Sequence, residues 1–181
     1  MPTFISILKG INVGGQKKIL MEDLKKVYEG IGFREIITYV QSGNVIFKTT
    51  RNHSYAVLSD TIEQAIKEKY SFHVPVIIRT VDEMRLTLSS NPFLNEDGID
   101  REKLHVTFLE EEPSSADISV INKYDFPPDR FRIIGKEVYL YCPEGYGNTK
   151  LSNDFFEKKL HGKATTRNWK TVLKLEELSE H

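Results

Sequence analysis

A single cysteine, Cys142, stands in 181 residues, so no disulfide can form within the chain and stability has to come from packing. Cys142 sits in a strand pattern with no basic or histidine neighbour in sequence, which makes it a packing residue and not a nucleophile. The five histidines, His53, His73, His105, His161 and His181, are scattered, with no His-x-x-His, His-Glu-x-x-His or mixed Cys/His spacing. A metal centre is therefore not expected, nor is a cofactor. No apolar run is long enough to span a bilayer, and no charged and apolar leader opens the chain, so a cytoplasmic setting without a membrane partner is the expectation. The formal net charge is −1, so no overall basic field draws nucleic acid.

What remains is the composition of an ordinary globular protein, with 39% hydrophobic and 28% charged residues, enough to bury a full core as one domain or as two small ones. Charge is unevenly placed. Between residues 150 and 174, Lys150, Lys158, Lys159, Lys163, Arg167, Lys170 and Lys174 face Asp154 and Glu157, seven cations against two anions and a local net of +5. Acids gather instead in residues 96–102 and in Glu110, Glu111 and Glu112, as solvated loops do.

Residues 9–18, Lys-Gly-Ile-Asn-Val-Gly-Gly-Gln-Lys-Lys, join two different periodicities. Before them, Phe4, Ile5, Ile7 and Leu8 form a strand pattern. After them, Leu20, Leu24, Val27, Tyr28 and Ile31 share one helix face, with Gly32 placed for a left-handed cap. Gly10, Gly14 and Gly15 accept positive φ and leave backbone amides approachable, while Lys9, Lys17 and Lys18 add positive charge, so the loop suits an anion. The competing reading is a glycine turn with solvated lysines. Gly10 and Gly15 have phosphate-loop spacing, but Gln16-Lys17-Lys18 follows where Lys-Ser/Thr is required, and no third glycine completes a dinucleotide fingerprint.

Taken in order, the chain alternates strands with helices. Residues 35–40 and 45–49 flank Gln41-Ser42-Gly43-Asn44 as a hairpin, with Gly43-Asn44 as a two-residue turn of the II′ kind. A helix carries Leu58, Ile62, Ala65, Ile66 and Tyr70. A strand over 74–79 follows, expected at a sheet edge because of Pro75. Thr80 and Glu83 then have capping-box spacing at the start of a helix that ends before Asn91-Pro92. The second half repeats the series: strand 104–109, helix 115–124, a hairpin turned at Gly135-Lys136, helix 151–160 with Ser152 as cap, strand 163–167, and a last helix capped by Asn168. Each half has the order βαββαβα, as an internal duplication would. The expected class is α+β, two tandem ferredoxin-like (split βαβ) halves with mainly antiparallel sheets, residues 1–90 and 91–181, packed as one compact unit. The tight hairpins argue against a doubly wound parallel sheet.

Lys9-Gly10-Ile11-Asn12-Val13-Gly14-Gly15 with Lys18 and Met21, then Thr38-Tyr39-Val40-Gln41-Ser42-Gly43-Asn44-Val45, and finally Ala164-Thr165-Thr166-Arg167-Asn168-Trp169 with Thr171-Val172, resemble the hallmark segments of a bacterial family, Domain of Unknown Function 1697. The resemblance runs the length of the chain. It implies two ferredoxin-like halves and carries no activity, ligand or catalytic residue.

The chemistry-bearing candidates cluster in those segments. Ser42 stands in Gln-Ser-Gly-Asn, not in a nucleophile elbow, so a turn serine is the better reading. Gln41 and Asn44 offer amides that donate and accept. Arg167, beside Thr165, Thr166 and Asn168 at a helix start, suits phosphate or carboxylate, or else a surface ion pair, while Trp169 belongs to the core. The expected ligand-binding set is Asn12, Gly14, Gly15, Lys18, Gln41, Ser42, Asn44, Arg167 and Asn168, converging on one cleft for a phosphorylated or otherwise anionic small molecule. No base or nucleophile stands out, so an enzymatic step is undetermined. Two other readings stay open: RNA or DNA binding with Tyr39, Phe47, Tyr139 and Tyr141 as stacking rings, and a scaffold or protein-interaction domain.

Overall fold

A computed structural model describes residues 1–50 and 53–181. The elements are β1 (Thr3–Leu8), α1 (Met21–Gly30), β2 (Arg34–Tyr39), β3 (Asn44–Lys48), α2 (Tyr55–Tyr70), β4 (Val76–Thr80), α3 (Val81–Ser89), β5 (Leu104–Leu109), α4 (Ser115–Ile121), β6 (Arg130–Ile134), β7 (Glu137–Tyr141), α5 (Asn153–Leu160), β8 (Ala164–Asn168) and α6 (Trp169–Ser179). Two antiparallel sheets result, with orders β2-β3-β1-β4 and β6-β7-β5-β8. These are two tandem ferredoxin-like halves. The compact units are Met1–Met84 with Leu175–His181, and Arg85–Lys174. Among the described residues no helix is long and apolar enough to cross a membrane.

In the first unit the period of two in β1 turns Phe4 and Leu8 toward α1 and α2, where they meet Val45, Phe47, Val76 and Ile78 from neighbouring strands and Leu24, Tyr28, Leu58 and Ile62 from the helices. Each such side chain contributes about 1.5–3 kcal/mol on burial. The rings interlock, Phe33 stacked on Phe47 at 4.5 Å and Tyr28 edge-on to Phe47 at 5.5 Å. Ser6 shares this face and is satisfied by the Tyr28 hydroxyl at 2.7 Å and the Val45 carbonyl at 3.2 Å. Gly32, at φ 91°, ends α1 as its position predicts. β4 is an edge strand that starts just after Pro75, and its first amide, Val76 N–H, donates to the buried Glu63 carboxylate at 2.9 Å.

The second unit repeats the plan with Leu109, Val138, Leu140 and Ala164 from the sheet against Ile121, Phe156 and Leu160 from α4 and α5. Its β6–β7 hairpin closes at Ile134 and Glu137, with Gly135 at φ 60°, as expected. Ser152 caps α5 by accepting from Phe155 N–H. The capping box at α3 is present in full: Thr80 N–H donates to Glu83 Oε2 at 2.9 Å, and Glu83 N–H to Thr80 Oγ1 at 3.2 Å.

Three local expectations change. The Gly43-Asn44 turn is not central to its hairpin, because Asn44 already pairs with Tyr39 as the first residue of β3, leaving a four-residue connection over 40–43. Helix α4 stops at Ile121 and not at 124. Leu20, placed on the apolar face of α1, is 70% exposed.

Candidate functional site

The glycine-rich loop is a small hairpin of its own. Val13 and Gln16 bridge, Gln16 N–H donates to Val13 C=O at 3.0 Å, and Asn12 N–H donates to Lys17 C=O at 3.1 Å. Gly14 and Gly15 occupy the two central positions at φ 59° and 72°, the pairing that a type I′ turn demands of both residues. A Cβ on either would meet nothing within 4 Å, so these glycines serve backbone conformation and the tip is open. Lys18 is exposed, while the Lys17 ammonium donates to His73 C=O at 2.7 Å.

Asn12 holds this loop to its neighbours. Its side-chain oxygen accepts from Ile19 N–H at 2.9 Å, and its amide donates to Ile19 C=O at 3.0 Å and to Gln41 C=O at 2.8 Å. Two of the hallmark segments, loop 9–18 and connection 40–43, thus meet in the first unit. Asn44 is buried, and its amide donates to Tyr39 C=O at 2.9 Å and to Ser42 Oγ at 3.2 Å. Gly43 is a tighter case, since a Cβ there would lie 2.6 Å from Ile11 Cδ1 and 3.0 Å from Leu8 Cβ, at φ 88°. Glycine is required at that position. Gln41 is exposed and Ser42 half-buried.

Arg167 and Asn168 belong to the second unit. Asn168 Oδ1 accepts from Thr171 N–H at 2.8 Å, the cap expected of it. Arg167 is buried, and its Nη1 donates to Thr165 Oγ1 at 3.1 Å and Thr166 C=O at 3.0 Å. Burial brings its guanidinium down to about 10, so it stays charged at neutral pH. Arg79 has the same station in the first sheet: it pairs with Ile5 of β1 as Arg167 pairs with Val106 of β5, it too is buried, and it too donates to the preceding carbonyl, Ile78 C=O at 3.0 Å. Trp169 is buried, as expected.

Two of the candidate stacking rings are placed differently from their sequence promise. Phe47 and Tyr139 are 0% and 1% exposed, so neither offers a stacking ring, and Tyr139 spends its hydroxyl on Thr87 C=O at 2.8 Å. Burial pushes the Cys142 thiol up to about 11, which suppresses thiolate at neutral pH. His105 stacks on Tyr146 at 4.8 Å, and burial holds its imidazole below the usual range. Among the described residues no cluster of His, Cys, Asp or Glu could hold a metal ion.

Two features escaped sequence reading. A bulge interrupts β2 between Arg34 and Ile37, where Glu35 takes φ 49° and its carboxylate accepts from Lys48 Nζ at 2.5 Å. This pair borders a 410 Å³ hollow floored by Ile36, Ile37 and Ile46. In the second unit a 620 Å³ groove follows β6. The aromatic residues at 124, 126, 131 and 155 were the available signal for the latter, but their separation in sequence hides that they gather.

No curated protein matches the chain. Its fold is similar to that of the conserved bacterial protein SP0830 from Streptococcus pneumoniae, with a TM-score of 0.77 over 100% of this chain and 99% of that one, at 20% identity. At that identity the likeness speaks for the fold. The family profile described as protein of unknown function (DUF1697) matches residues 1–139, which takes in the first two hallmark segments and stops short of the third, and the chain belongs to that family.

Proposed function

We propose that the first unit binds the anionic group of a small phosphorylated molecule on the surface shared by loop 9–18 and connection 40–43. The observation that carries this is the three-bonded Asn12 amide, which ties the two loops into one surface and leaves their tips outward. On that surface the Gly14 and Gly15 amides, the exposed Lys18 ammonium and the exposed Gln41 amide are donors of the kind an oxyanion accepts from. Asn12, Ser42 and Asn44 position the donors. Arg167 and Asn168 keep to the strand and helix they build. The role is binding, because no general base or nucleophile stands among these residues.

A thermal-shift screen of nucleotides and sugar phosphates tests this. A ligand of the native state raises the melting temperature by mass action, about 2.7 kcal/mol at a hundredfold excess over Kd. We expect a saturable shift that shrinks with added salt and is lost in Lys18→Ala and weakened in Gln41→Ala. A shift of full size in Lys18→Ala, or none with any phosphorylated compound, defeats the assignment.

A further inference from the structure

We propose that the outer edge of β6, with the groove beside it, docks an extended acidic peptide segment of another protein, which adds to the second sheet as one more strand. β6 is the terminal strand of its sheet, and it pairs with β7 in unbroken register from Arg130 opposite Tyr141 to Ile134 opposite Glu137. Such an edge is a template for another strand unless something blunts it. The first unit shows what blunting looks like: β2 carries the Glu35 bulge, and the first amide of β4 is taken by Glu63 just after Pro75. Among the described residues β6 has no bulge and no proline within it. Counting back from the closing pair, the antiparallel alternation turns the N–H and C=O of Phe131 and Ile133 away from β7; the Phe131 C=O accepts from Arg132 Nη1 at 2.9 Å, a bond that an incoming strand exchanges for one from its own amide.

The space beside this edge is shaped for side chains. The 620 Å³ groove is lined by β6 and by the preceding connection, with Tyr124, Phe126 and Phe131 as its aromatic wall. Tyr124 and Phe126 each meet Phe155 edge-on at 5.5 Å, which fixes their rings before any ligand arrives. Alternate side chains of an added strand would face this wall, the arrangement by which strand-addition domains read sequence.

Charge decides the occupant. Lys159 Nζ lies 4.7 Å over the Tyr124 ring and Lys150 Nζ 5.8 Å over Phe126, and Arg132, exposed on the strand, has its guanidinium 5.8 Å from the centre of the Phe93 ring. Against them the groove presents Asp125 and Asp129, of which Asp129 already accepts from Thr149 Oγ1 at 2.6 Å. Carboxylates on the incoming strand answer the three cations. A second copy of this chain fits worse, because antiparallel pairing of β6 with itself about its midpoint sets Arg132 opposite Arg132, and like charges directly opposite destabilise a ladder.

Fluorescence anisotropy with a labelled heptapeptide alternating aspartate with valine and phenylalanine tests the proposal on the full chain. We expect saturable binding, weakened about tenfold or more when lysine replaces aspartate in the peptide and again in Arg132→Glu. Methylating the alternate peptide amides that face β6 should abolish it, since main-chain hydrogen bonds carry strand addition. The circular-dichroism spectrum of Arg132→Glu should match wild type, which separates lost docking from lost fold, while its melting temperature should fall slightly, because Arg132 also lies over the Phe93 ring and bonds Phe131 C=O. Equal binding of the lysine and aspartate peptides, full binding of the methylated peptide, or no saturation below about 1 mM overturns the proposal.

Discussion

At the scale of single residues, the asparagines of the hallmark segments turn out to hold the chain to itself. Asn12, Asn44 and Asn168 all use their side chains on backbone groups. Their presence in polar segments was plain in sequence, and for Asn168 so was the task, because a cap acts on a residue three positions away. For Asn12 the partners are Ile19 and Gln41, seven and twenty-nine positions distant, and no local pattern distinguishes an amide that joins loops from one that awaits a ligand. Asn12 also stands at φ 56°, where asparagine is tolerated and alanine is strained. Asn12→Ala should therefore cost about 2–4 kcal/mol in urea unfolding, combining lost hydrogen bonds with backbone strain. A cost under about 0.5 kcal/mol, the level of an ordinary surface substitution, would show that the three bonds do not hold the loop.

At the scale of elements, legibility followed the range of the interaction. The Thr80–Glu83 box and the Gly135-Lys136 hairpin depend on neighbours within four residues, and both formed where the spacing put them. The other hairpin forms between the expected strands and only its turn differs, although Gly43 does take positive φ. What sets its register is Asn44, buried at 0% exposure and bonded across the loop to Tyr39 C=O, and a polar residue gives no sign in sequence that it will be buried. The capping box has a further, non-local tie: Glu83 Oε2 accepts from the Tyr55 hydroxyl at 3.0 Å, which links the start of α3 to the start of α2. Glu83→Ala should cost about 1–3 kcal/mol, a cap and a charge-assisted hydrogen bond together. A double-mutant cycle with Tyr55→Phe should return a coupling of about 0.5–1.5 kcal/mol. Strict additivity of the two substitutions would mean that the link contributes nothing to folding.

At the scale of the whole molecule, the repeated strand order was legible because the period changes and hairpins recur in the same sequence in both halves. The composition of the compact units was not. Sequence order suggests two contiguous halves, yet Leu175–His181 clusters with Met1–Met84, so the residues that complete the first unit come after those of the second. Nothing in a local pattern announces which sheet the end of a helix will join. The consequence is measurable. Leu175 is fully buried and Ser179 nearly so, and Thr3, Ile36 and Ile46 line one hollow with Leu178 and Ser179. Removing Leu175–His181 strips that cover and a buried leucine, a change of the class that costs about 2–5 kcal/mol. Because the other walls of that hollow come from β1, β2 and β3, amide exchange should accelerate most in those strands, and the β5–β7 ladder of the second unit should lose less protection. Uniform acceleration across both sheets would show instead that the tail stabilises the molecule as a single cooperative body, and an unchanged exchange pattern would mean that the first unit is complete without it.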